Sequence, residues 1–105
     1  MAVLKLATET DRQRLYAALA SLGTPEQAAA LLEDLCTLRE VNEMAQRLNL
    51  ARLLAEGASY AAIEEATGAS ATTIARVSKS LNFGPGGYRS VLEALDSSGF
   101  ADEVG

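Results

Sequence analysis

Residues 60–81 read Tyr60-Ala-Ala-Ile63-Glu64-Glu-Ala-Thr67-Gly68-Ala-Ser70-Ala-Thr72-Thr73-Ile74-Ala-Arg76-Val77-Ser-Lys79-Ser80-Leu81. Ser59 can cap a short helix that begins at Tyr60, and Gly68 breaks that helix. Ser70 caps a second helix of about three turns, which ends near Asn82. A short helix, a tight glycine turn and a longer helix form a helix-turn-helix. Ile63 on the first helix, and Ile74 and Val77 on the second, are spaced to hold the pair together. Gly68 sits where the turn needs a positive φ, which a residue without Cβ adopts at least cost. The face left over on the second helix carries Thr72, Thr73, Arg76, Lys79 and Ser80, with no acid among them. Glu64 departs from the usual pattern, because a small residue is expected at that position, packed between the helices.

The rest of the chain reads as helix on both sides of this segment. Residues 1–10 form a frayed lead-in, and a first helix is expected after Thr10, with the apolar stripe Leu15, Tyr16, Leu19 and Leu22. Thr24-Pro25-Glu26-Gln27 combines a cap residue, Pro at the first helical position and Gln three residues after the cap. The stripe that follows is Ala28, Leu31, Leu32, Leu35 and Cys36. Thr37 and Glu40 repeat the capping-box spacing and open a third helix, which runs to about Glu56 and stops at Gly57. This helix is apolar on two sides: Val41, Met44, Ala45, Leu48 and Ala51 on one, and Leu50, Leu53 and Leu54 on the other. A helix apolar on two faces is buried on both. A single chain of 105 residues has little material for that, so a partner subunit is expected. Phe83 to Gly87 form a turn-rich joint. A last helix from about Tyr88 packs through Val91, Leu92 and Leu95. Residues 97–105 read as a disordered acidic tail. The expectation is all-α, about six helices, with one helical domain over residues 11–96.

Composition narrows the chemistry. The sequence has no His and one Cys, so His-based catalysis, His metal ligands, disulfides and a thiolate zinc site are excluded. Cys36 reads as a small side chain in a helical stripe. There is no nucleophile–base pair, and the Gly84–Gly87 cluster is too short and wrongly placed for a phosphate-binding loop. The expectation is therefore no enzyme, no metal and no cofactor. No apolar run approaches the roughly 20 residues needed to span a bilayer, and the first residues turn polar too soon for a secretory signal. A cytoplasmic protein with no membrane partner is expected.

The net charge is −5, whereas most nucleic-acid-binding domains are basic. Distribution outweighs the sum here. From Ser70 to Ser90 there is no Asp or Glu, yet Arg76, Lys79 and Arg89 are present. Such a segment suits double-stranded DNA. A recognition helix places its first residues near base edges in the major groove, while Lys and Arg neutralise phosphates. The candidate DNA-binding residues are Ser70, Thr72, Thr73, Arg76 and Lys79.

Leu35-Cys-Thr-Leu-Arg-Glu40, Met44-Ala-Gln-Arg-Leu48, Thr67-Gly-Ala-Ser70, Thr73-Ile-Ala-Arg-Val77, Leu81-Asn-Phe-Gly84 and Gly86-Gly-Tyr88 resemble the YerC/YecD group of Trp-repressor-related proteins. The resemblance spans roughly residues 14–90 and implies an intertwined helical homodimer that presents two helix-turn-helix units to DNA as a transcriptional regulator. It also implies a candidate ligand pocket, since Thr37, Arg47, Arg76 and Ser80 resemble the positions that hold tryptophan in the tryptophan-sensing repressor. Val77 falls where that repressor has Gly beside the indole, so regulation without tryptophan as corepressor is expected and the small-molecule effector is left open. The alternative is a helical protein-interaction module that has lost DNA binding. The acidic total charge favours it; the acid-free run favours DNA.

Overall fold

Short polar side chains set most of the helix starts in the computed structural model, which describes residues 6–98. The helices are α1 (Glu9–Ala20), α2 (Pro25–Leu35), α3 (Leu38–Ala55), α4 (Tyr60–Thr67), α5 (Ala71–Phe83) and α6 (Gly87–Ser97), with no strand among the described residues. The all-α expectation with six helices holds. Thr24, Ser59 and Ser70 each accept a hydrogen bond from the backbone N–H three residues on, which satisfies one of the donors a helix start leaves unpaired.

Two boundaries differ from the sequence reading. The first helix is capped by Thr8, not Thr10: Thr8 and Asp11 form a reciprocal capping box. The lead-in therefore ends two residues earlier, because Asp11 serves as the third helical residue and pairs with Thr8. Ser97 belongs to α6 rather than to a tail, and residues 99–105 lie outside the described residues. At α2, Gln27 does not reach back to Thr24; its Oε1 accepts from the N–H of Gly23 at 2.7 Å.

α3 opens on a full capping box. The Thr37 N–H donates to Glu40 Oε1 at 2.8 Å and the Glu40 N–H donates to Thr37 Oγ1 at 3.1 Å. It closes at Gly57, whose φ is +90°. There the Ala58 N–H donates to the Leu53 carbonyl and the Gly57 N–H to the Leu54 carbonyl, the bond pair of a Schellman motif.

The chain divides into two compact units after Val41. In the first, neither α1 nor α2 has a buried residue. The second contains the core: Leu50 and Ala51 from α3, Ile63 from α4, Ala69 from the turn, and Ile74 and Val77 from α5. Leu53, Leu54, Ala58, Tyr88 and Leu92 pack against it. Full burial of an Ile or Leu contributes about 1.5–3 kcal/mol, so this small cluster fixes the helix-turn-helix. Of the two apolar faces of α3, Leu50, Leu53 and Leu54 of one meet this core, and so does Ala51 at the end of the other. On the other, Met44 is 38% exposed in the single chain. No helix among the described residues is long and apolar enough to cross a membrane.

Candidate nucleic-acid interface

The turn between α4 and α5 sets the geometry of the site. Gly68 ends α4 with φ +73° and donates its N–H to the Glu64 carbonyl. The chain then reverses through Ala69, which is buried, into the Ser70 cap. The Thr67 hydroxyl donates to the Ile63 carbonyl at 2.7 Å and accepts from the Ala69 N–H at 3.2 Å, so the turn is fastened from inside. Ile63 and Ile74 are fully buried and Val77 nearly so. The three apolar residues singled out from the sequence are thus the ones that join the two helices. Glu64 is exposed. The acid stays outside the buried cluster, to which Ile63 and Ala69 belong.

With Ile74, Val77 and Leu81 turned inward, α5 presents Thr72, Arg76, Lys79 and Ser80 to solvent, and Thr73 is half-buried. Arg76 and Lys79 have no hydrogen-bond or ion-pair partner among the described residues, and no acid lies on α5. Two unpaired cations three residues apart share one side of the helix. Ser70 is more committed. Its Oγ accepts from the Thr73 N–H at 3.2 Å and lies 3.0 Å from the Thr73 hydroxyl. The cap leaves Ser70 less free to meet a ligand than its neighbours on α5.

The candidate ligand residues separate into two groups. Arg47, Arg76 and Ser80 line one cleft of about 470 Å³ together with Glu43, Gln46, Thr73, Val77 and Tyr88. Its size lies within the range of small-molecule sites. The Arg47 Nε–H donates to the Glu43 carbonyl at 3.3 Å. Thr37 lies in the other unit and its hydroxyl caps α3. Val77, only 3% exposed, forms both cleft wall and core. Glu43, Gln46 and Tyr88 were not singled out from the sequence. Gln46 was detectable as the neighbour of Arg47, whereas Tyr88 arrives from beyond a glycine-rich turn that no periodicity describes. Among the described residues no group of three or more potential ligands could hold a metal ion.

Solved structures share this fold. The profile of the Trp repressor protein family matches residues 10–96. The chain is 42% identical over 85 residues to the uncharacterized protein YerC of Bacillus subtilis, which covers 81% of this chain and 82% of YerC. A crystal structure of a TrpR-like protein from Eubacterium eligens matches with a TM-score of 0.76 at 42% identity, over 85% of this chain and 91% of that one. A second crystal structure, from Staphylococcus aureus, matches with a TM-score of 0.78 at 34% identity, over 85% and 89% of the two chains.

Proposed function

We propose that this chain, which belongs to the Trp repressor family, is a sequence-specific DNA-binding transcriptional regulator that acts as a homodimer in the cytoplasm, without enzymatic activity and without tryptophan as corepressor. Its fold is the all-α fold of TrpR-like proteins. The observation that carries the DNA reading is the exposed side of α5. Arg76 and Lys79 stand there with no partner among the described residues, beside Thr72, on a helix anchored from behind by Ile74 and Val77. In this reading α5 enters the major groove, with Thr72, Thr73 and Arg76 near base edges and Lys79 on a phosphate.

The dimer reading rests on apolar surface. Leu38 is 76% exposed and Phe83 85% exposed in the single chain, and neither α1 nor α2 has a fully buried residue. Monomeric soluble proteins rarely leave so much apolar surface open. A second subunit wound into the first covers it.

A protein-interaction module without DNA binding is the second reading, favoured by the net charge of −5 and by the exposed Glu64 and Glu65 on α4. Fluorescence anisotropy with duplexes selected from genomic fragments separates the two. Arg76→Ala is expected to weaken the preferred duplex by about 1–3 kcal/mol and to relax its sequence preference. Lys79→Ala is expected to weaken all duplexes alike and to flatten the salt dependence. A folded double variant that binds DNA as the unaltered protein does removes this face from consideration.

A further inference from the structure

Asn82, on the side of α5, ties the recognition helix to a cation from outside the helix-turn-helix. Its Nδ2 donates to the Ser78 carbonyl at 2.9 Å and lies 3.3 Å from the Ser78 hydroxyl. These bonds orient the amide, leaving Oδ1 to accept from Arg89 Nη2 at 2.9 Å. Arg89 lies in α6, seven residues further along and past the Gly84–Gly87 turn. The turn itself is tight: a Cβ on Gly84 would lie 2.4 Å from the Ser80 carbonyl oxygen. The exit from α5 therefore needs a residue without a side chain.

Arg76, Lys79 and Asn82 follow one another at three-residue steps along α5, so each is the surface neighbour of the next. The guanidinium held at Asn82 adds a third cation to the series begun by Arg76 and Lys79. Three-residue steps drift around a helix of 3.6 residues per turn. Each step turns about 60° around the helix, so Asn82, and Arg89 with it, lies on the flank of the exposed side. A helix in the major groove faces base edges with its middle and phosphate chains with its flanks. Helix stability does not account for Arg89. It occupies the first turn of α6, the positive end of the helix dipole, where a cation is disfavoured, and no carboxylate pairs with it among the described residues. Arg has five N–H donors, and the bond to Asn82 uses one.

We propose that Arg89, positioned by Asn82, contacts a DNA phosphate beside the recognition helix and thereby extends the interface into α6. This rests on the DNA-binding reading above. The contact adds affinity without sequence preference, because a phosphate carries none.

The test is the salt dependence of duplex binding by the full chain, for the unaltered protein, Arg89→Gln, Arg89→Lys and Asn82→Ala, each with its melting temperature. Arg89→Gln is expected to lower affinity equally for preferred and unrelated duplexes, and to flatten the plot of log affinity against log salt by about 0.9 per bound subunit. Arg89→Lys keeps the charge and should retain the slope. Asn82→Ala keeps the charge but releases it, so affinity should fall with a smaller change in slope. A folded Arg89→Gln protein with unaltered affinity and slope overturns the phosphate contact while leaving DNA binding by α5 in place. Asn82→Ala binding identical to the unaltered protein overturns the positioning role. If the unaltered protein binds no duplex, the DNA reading and this inference fall together.

Discussion

Val77 combines two tasks that conflict at one position. It is a core residue, 3% exposed, and it also lines the cleft that holds Arg47, Arg76 and Ser80. Its branched side chain takes space on the wall where a flat ring would lie between the two Arg side chains. Forcing extra atoms into a packed site costs about 1–3 kcal/mol, and Val77 cannot turn away without opening the core against Ile63 and Ile74. Calorimetry with tryptophan at millimolar concentration is therefore expected to show no binding, and tryptophan should leave DNA affinity unchanged. A clear micromolar isotherm would contradict this. Weak binding by Val77→Gly alone would assign the block to this one side chain.

The helices show how much of the protein could be read in the sequence. Cap residues and glycines located α2 to α5 closely, because a cap is a local bond between residues three apart and Gly57 and Gly68 both adopt positive φ. At α1 the helix begins before the expected boundary at Thr10, because Asp11 pairs with Thr8. The exposed side of α5 was legible because helical spacing alone separates it from Ile74, Val77 and Leu81. The Asn82–Arg89 bond and the Tyr88 wall of the cleft were not, because both depend on how the chain turns between Gly84 and Gly87. Thr37 was assigned to the ligand by resemblance, but locally it forms a capping box. Hydrogen bonding to Thr37, first through its backbone N–H, holds the Glu40 carboxyl below the ordinary glutamate value. Because the folded value is the lower one, this contribution is complete above the unfolded value and is lost as pH falls through the folded value. Glu40→Gln keeps an acceptor for the Thr37 N–H but does not titrate there. On acidification through and below the ordinary carboxylate range, the melting temperature of the unaltered protein should fall more steeply than that of Glu40→Gln. Parallel curves would show that this box does not contribute to acid sensitivity. The effect is small, because the pair lies in solvent.

At the scale of the whole molecule, the acidic sum and the cationic side of α5 are compatible. Acids on α1, α2 and α4 keep net charge away from zero, which favours solubility, while the segment from Ser70 to Ser90 remains free of them. Under the proposed function, DNA would be attracted to one surface and repelled elsewhere, which restricts how the protein can dock. The apolar surface points to the same assembly. Met44 on α3, Leu35 and Leu38 around the start of α3, and Phe83 at the end of α5 are exposed in the single chain, and the proposed second subunit would cover them. Two subunits present two α5 helices, as binding of two half-sites requires. Sedimentation of the protein at micromolar concentration, alone and with a duplex selected from genomic fragments, tests this most directly. The account predicts a dimer alone and two chains per duplex in the complex. A folded monomer that does not travel with DNA at low salt would contradict it.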